Sequence, residues 1–307
     1  MKEEKDLRKL RETSILHMQD VVKRYGAQTV LEDIDFSLKP HELCTVVGPS
    51  GCGKSTLLRM ILGAEFPCEG EIYIDHEQVN FPDATRGIVY QQYSLLPHLN
   101  VIDNVTLGPR LQAGIFASKA KKRDIIAAGM YFLGQVKLDD RALKFPKELS
   151  GGMRQRVALA QTLIMKPKIL LMDEPFGALD PGTRESMQVF LLELWEKFKM
   201  TILFITHDLE EAAYLGTRLI GLSQFYKVTD KENGKKHGAR ILLDEQLSSM
   251  ALSTKTKATK EIGEFIQHVR SKIFDPKYVR SVTEFDLKHP DSFQTFSESD
   301  IKEMNGK

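Results

Sequence analysis

The stretch Gly48-Pro49-Ser50-Gly51-Cys52-Gly53-Lys54-Ser55-Thr56 constrains this chain more than any other. It follows an unbroken apolar run over 43–47. It precedes a helical pattern over 55–62, with Leu57, Leu58, Ile61 and Leu62 facing inward and Gly63 as the stop. A short apolar run bounded by turn residues predicts a strand buried on both faces, as in parallel sheets covered by helices. Similar runs stand at 87–90, 169–172 and 201–205. A helical stretch at 153–165 lies among them, with apolar residues at 153, 157, 160 and 164. Strands alternating with helices predict an α/β fold with a mainly parallel sheet at its core. The alternation of Ile34, Phe36 and Leu38 over 33–39 predicts a half-buried antiparallel strand.

The chain has 307 residues, 42% of them hydrophobic, enough for one large domain with an appendage. Residues 1–13 read as a solvated N-terminal tail. A main domain is expected over 14–250, with a helical subdomain over about 94–160, because no strong strand signal stands between Ser94 and Leu149. Two strands at 218–223 and 240–244 flank the polar loop Asp230–Gly238. The region 251–307 is expected to hold a helix at 262–274 (Ile262, Phe265, Ile266, Val269, Ile273) and a polar tail. The net charge of +1 gives no global field toward nucleic acid, and no nucleic-acid partner is expected. Cys44, Cys52 and Cys68 have no metal-site spacing and are odd in number, so reduced thiols are the expectation. The first fourteen residues lack the apolar centre of a signal peptide, and no apolar run is long enough to span a bilayer. Any membrane role has to come through a partner.

The glycine loop has the chemistry of a phosphate cradle. Glycines let successive backbone N–H groups turn toward an anion, and the following helix presents its positive end. Lys54 supplies a point charge for the β- and γ-phosphates of a nucleotide, Ser55 a hydroxyl for Mg²⁺, and Thr56 a further hydroxyl. Asp173 and Glu174 end an apolar run, where adjacent carboxylates are costly unless a cation or a protic group uses them. Given the loop upstream, Asp173 is expected to act on Mg²⁺ and Glu174 to orient and polarise an attacking water. Ser150 is a candidate N-cap with Gly151 and Gly152 exposing N–H groups beside it. Arg154 and Arg156 stand where acids usually do, which predicts an anion site. Taken singly, each stretch has a plain structural reading: a strand end, a loop before a helix, a satisfied histidine at His207.

Together they carry a resemblance. Leu149-Ser150-Gly151-Gly152-Met153-Arg154-Gln155-Arg156 resembles the signature of ABC-transporter ATPases, and the similarity spans about 15–274. The resemblance implies a P-loop ATPase with an antiparallel β subdomain and an inserted helical subdomain. It implies that Tyr25 stacks on adenine and that 48–56 binds the phosphates. Gln91, with Gln92 beside it as the other register, is implied to touch Mg²⁺ and the water. Asp180 falls in the D-loop, and His207 is the switch residue that contacts the γ-phosphate. The signature residues Ser150, Gly151, Gly152 and Gln155 are implied to face ATP held by a second copy or a related ATPase subunit. The stretches Gln91–Val101 and Asp173–Asp180 are most similar to the nitrate/sulfonate/taurine/bicarbonate import group. That group implies transmembrane permease subunits, an extracytoplasmic solute-binding protein acting indirectly, and a peripheral place on the cytoplasmic face of the inner membrane. The permease contact is expected near 91–101, where Leu96 and Leu99 read equally as docking or core residues.

Two other readings compete. A soluble ABC ATPase of the iron–sulfur assembly type lacks a reason for the segment 95–101. Repair types carry a long coiled-coil insertion and translation types two cassettes, and neither is present. A degenerate module without turnover is disfavoured by intact Lys54, Asp173, Glu174 and His207. The transported solute is not written in an ATPase subunit. The loop at 230–238 and the tail leave a regulatory role open.

Overall fold

A computed structural model of the chain describes residues 12–91, 94–114, 118–225, 237–247 and 260–274. The N-terminal tail over 1–11, most of the polar loop (226–236), Gln92 and the tail beyond 274 lie outside the described residues.

Among the described residues ten strands form two sheets. The larger contains β3 (Leu43–Val47), β6 (Arg86–Tyr90), β7 (Ile169–Asp173), β8 (Thr201–Ile205), β9 (Arg218–Ser223) and β10 (Arg240–Gln246), in the order β10-β9-β3-β8-β7-β6. Its inner strands are parallel, and β10 closes one edge antiparallel to β9. All residues of β3 and β8 are buried, as their unbroken apolar sequences require of a sheet covered on both faces. The smaller sheet is antiparallel, in the order β2-β1-β4-β5: β1 (Leu16–Tyr25), β2 (Gln28–Leu38), β4 (Glu69–Ile74) and β5 (Glu77–Gln78).

Helix α1 (Lys54–Leu62) follows β3 through the glycine loop. It packs into a core that joins the large sheet to the antiparallel one, including Leu57, Ile61, Leu16, Ile34, Leu171 and Ile205. On the other side, α2 (Val101–Ala113), α3 (Lys119–Gln135) and α4 (Gly151–Leu163) make the helical region expected between 94 and 160. Together with α5 (Pro181–Phe198) they bury Val105, Leu133, Leu159, Leu191 and Phe176 against the sheet. Buried Asn104 ties the preceding segment to α2: its side chain accepts from Leu96 N and donates to the carbonyls of Leu96, Leu99 and Asn100. Leu96 is exposed and Leu99 only half-buried, so neither is a core residue.

Two short elements finish the fold. Helix α6 (Leu209–Leu215) is capped by Asp208, and α7 (Lys260–Ile273) buries Val269 and Ile273 against Val47, Leu209, Leu219 and Leu243. The Ser223 hydroxyl donates to Ile273 O at 2.8 Å, which anchors the last turn of α7.

Two expectations shift. The signature helix begins at Gly151 and not near Met153, directly after the expected N-cap Ser150, whose side chain accepts from Met153 N. The strand expected from Asp33 starts at Gln28. Strand β1 has no clean alternation because bulges between Met18 and Val21 and between Val21 and Lys23 shift its pairing with β2.

Candidate nucleotide-binding and catalytic site

Parallel strands deliver their C-terminal ends to one edge of the sheet, and the chemistry collects there. Strand β3 ends in the glycine loop. Two glycines are required by geometry. A Cβ on Gly48 would fall 2.2 Å from Leu222 O, and Gly53, the N-cap of α1, holds φ at +99° with Leu31 packed against it. Cys52 is buried beneath the loop, and burial pushes its thiol up. Lys54, 8% exposed, donates to Gly48 O at 2.8 Å and Pro49 O at 2.9 Å, so its ammonium is folded into the curve of the loop.

Strand β7, two strands away across β8, ends in Asp173. Burial raises the carboxyl of Asp173, and the neighbouring charge of Glu174 adds to this; a hydrogen bond from Ser55 and the charge of Lys54 oppose it. Asp173 and Ser55 therefore meet as a carboxylate and a hydroxyl, the hard oxygen donors that Mg²⁺ takes. A carboxylate made costly by burial and by a like charge is one that a divalent cation stabilises.

Glu174 then leaves the strand with φ at +45°, in the left-handed region, and its N–H donates to Ile205 O at 3.0 Å. This turn carries the Glu174 carboxylate to within 3.0 Å of His207 Nδ1. His207 follows β8 and is held from behind. Thr206 Oγ1 donates to buried Glu211 at 2.6 Å, Gln188 donates to the same carboxylate at 2.9 Å, and Asp208 caps α6 through Glu210 N and Glu211 N. Burial raises the Glu211 carboxyl, against those two hydrogen bonds. This buttress is not visible in the sequence motifs; its signal is the acid pair Glu210-Glu211 directly after a capping Asp208. The Gln91 amide lies beside Gly177, in the turn that follows Glu174.

The signature residues stand elsewhere. Ser150 and Gly152 line an open cleft of about 500 Å³ together with Met153, Arg156, Asp180, Thr183 and residues of α5. Asp180 caps α5 by accepting from Thr183 N. Arg156 is stacked on Phe190, whereas Arg154 turns back to Leu149 O. No residue of the glycine loop lines this cleft. Gln155 does not line it either: it is wholly buried, with neither amide atom hydrogen-bonded.

Tyr25 ends β1 away from the sheet edge and donates its hydroxyl to Glu65, just beyond α1. Sequence reasoning did not single out Glu65, Arg59 or Lys23, which surround it.

Comparison with known proteins agrees with this geometry. The family model described as "ABC transporter" matches residues 31–177. An aliphatic sulfonates import ATP-binding protein of Bacillus cereus is 43% identical over 201 residues, covering 66% of this chain and 76% of the relative. A nitrate import ATP-binding protein of Synechocystis is 43% identical over 202 residues, covering 66% and 74%. Among solved structures, a dimeric ATP-binding cassette in a post-hydrolysis state with ADP and Pi superposes with a TM-score of 0.60 at 31% identity, over 76% of this chain and 98% of that one. With its phosphate loop, carboxylate pair and signature cleft arranged on this fold, the chain belongs to the ATP-hydrolysing, ATP-binding subunits of ABC transporters.

Proposed function

We propose that this chain powers solute import: it binds ATP and Mg²⁺ between two ATPase subunits and drives a transmembrane permease from the cytoplasmic face of the membrane. The observation that carries the two-subunit reading is the composition of the signature cleft. Ser150, Gly152 and Asp180 converge there without any glycine-loop residue. A nucleotide on Lys54 therefore finds its signature contacts on another subunit.

In this reading the loop N–H groups and Lys54 hold the phosphates, and Tyr25 stacks on the base. Ser55 and Asp173 hold Mg²⁺, with Gln91 brought in from its place beside Gly177; the cation, when bound, neutralises charge on the β- and γ-phosphate oxygens. Glu174 accepts a proton from water as the water oxygen attacks the γ-phosphorus. The bond from that phosphorus to the β-phosphate oxygen breaks, and ADP leaves with its electron pair. His207, whose Nδ1 lies 3.0 Å from the Glu174 carboxylate, orients that carboxylate in this reading and contacts the γ-phosphate.

Import, not another use of ATP, is supported by the named activities of the sulfonate and nitrate relatives. Among the described residues no helix is long and apolar enough to cross a membrane, so membrane attachment is assigned to the permease. Exposed Leu96, on the segment that Asn104 braces, is the proposed point of permease contact. The extracytoplasmic binding protein acts on the permease, and the solute is chosen there.

The test mixes two inactive chains. Lys54→Ala lacks the phosphate cation and Ser150→Arg blocks the signature. Mixed dimers contain one site with an intact loop facing an intact signature, so mixing restores a fraction of the hydrolysis rate that neither variant shows alone. The wild-type rate per chain also rises with protein concentration. Full activity in Ser150→Arg alone, or a concentration-independent rate, overturns the shared-site reading.

A further inference from the structure

Tyr25 is not left to find the base by itself. Its hydroxyl donates to Glu65, and the same carboxylate takes Arg59 Nε at 2.7 Å and Lys23 Nζ at 3.2 Å. Arg59 lies on α1 and also donates from Nη2 to the Thr56 hydroxyl at 3.2 Å, inside the phosphate loop. Lys23 Nζ stands over the Tyr25 ring, 5.0 Å from its centroid, and is fixed from the other direction by Phe66 O at 2.8 Å. A continuous set of contacts thus runs Tyr25–Glu65–Arg59–Thr56, from the end of β1 to the start of α1. The elements it joins belong to different sheets' surroundings and share no backbone hydrogen-bond ladder.

We propose that Glu65 is a positioning residue for nucleotide binding: it fixes the Tyr25 ring relative to the phosphate loop, so that base and phosphates are engaged at one set spacing. This rests on the reading of Tyr25 as the adenine platform. The ring is rigid and needs only two torsions fixed; the hydroxyl bond to a carboxylate fixes both at small entropic cost. Burial pushes the Glu65 carboxyl up, but the hydrogen bonds from Tyr25 and Lys23 and the charge of Arg59 outweigh it and hold it below its ordinary range. It therefore stays ionised, as an acceptor, throughout the neutral range. Glu65 is half-buried and carries no part of the main core, which is why its removal is informative.

The experiment compares ATP with inorganic tripolyphosphate, which has the phosphates and no base. Affinities for both, with Mg²⁺, are measured by calorimetry on the full chain and on Glu65→Ala, Tyr25→Phe, the double variant and Tyr25→Ala. Tyr25→Phe keeps the ring and deletes only the link. ATP binding is expected to weaken roughly tenfold in Glu65→Ala and in Tyr25→Phe, the size of one lost hydrogen bond to a charged group, and no further in the double variant. Tripolyphosphate binding is expected to stay within about twofold of wild type. If Glu65→Ala weakens both ligands equally, Glu65 serves the phosphate end alone and the proposal fails. If Tyr25→Phe binds ATP as wild type while Tyr25→Ala does not, the platform stands but the link is idle, and the proposal fails. If Tyr25→Ala binds ATP as wild type, the platform reading itself falls. Should Glu65→Ala not fold, the Tyr25→Phe result decides by the same criterion.

Discussion

At the scale of single residues, the proposed mechanism turns on Glu174. Among the described residues its carboxylate is the one paired with His207, and the left-handed turn at its own α-carbon aims it there. Replacing it with Gln preserves shape and hydrogen bonding and deletes basicity. Glu174→Gln is expected to lower the hydrolysis rate by about 10²–10⁴-fold, roughly 3–5 kcal/mol of barrier, with ATP affinity retained. A rate assay beside size-exclusion chromatography in ATP and Mg²⁺ checks both, and the ATP-bound dimer is expected to accumulate. A wild-type rate removes Glu174 from the mechanism. In the sequence Lys54 stood out through the glycine loop and Asp173-Glu174 through the apolar run they end, whereas His207 was singled out only by resemblance to a family. Glu65 and Arg59 did not stand out, because neither borders such a run; Glu65 lies forty residues beyond Tyr25, and only folding makes them neighbours.

At the scale of elements, unbroken apolar runs were the reliable signal. Strands β3 and β8 follow the apolar runs at 43–47 and 201–205, since a strand covered on both faces has no reason to alternate. Strand β1 is the counter-example. Asp20 sits in the bulge with φ at +51°, and the shifted residues beyond it break the period of two that would have revealed the strand. Helix α7 shows the opposite case, a terminal element whose apolar spacing was plain and whose docking place was not. Its buried end packs against β9 and the start of α6, the helix that follows His207. Ile273 is fully buried there. Ile273→Ala is expected to cost about 2–5 kcal/mol, read as a lower midpoint in denaturant. Ser223→Ala, which removes the hydroxyl's bond to Ile273 O and the one it accepts from Phe225 N, is expected to cost about 1–2 kcal/mol. An unchanged midpoint in Ile273→Ala means that α7 is not part of the cooperative unit.

At the scale of the whole molecule, the sequence separates what one chain owns from what it borrows. The glycine loop and the carboxylates lie on one sheet edge, while Ser150, Gly152 and Asp180 line a cleft of their own. The division was implied by resemblance to a family and not by any spacing in the chain, because sequence intervals do not report which side of a helix faces a second subunit. The wholly buried, unbonded amide of Gln155 was likewise invisible in the motif, where it reads as one more signature residue.

The thiols give the molecule a built-in handle. Cys44 and Cys52 are sealed in the interior, Cys52 under the glycine loop, and burial keeps both protonated. Cys68 is exposed, beside the backbone of Arg24 and next to the strand end that presents Tyr25. A maleimide dye added to the native protein is expected to attach at one position, and at three after denaturation, as counted by intact-mass spectrometry. Native chemistry thus installs a fluorophore beside the proposed adenine platform without any substitution. Its emission follows ligand arrival, and the number of dyes per chain doubles as a gauge of how much of the population is folded.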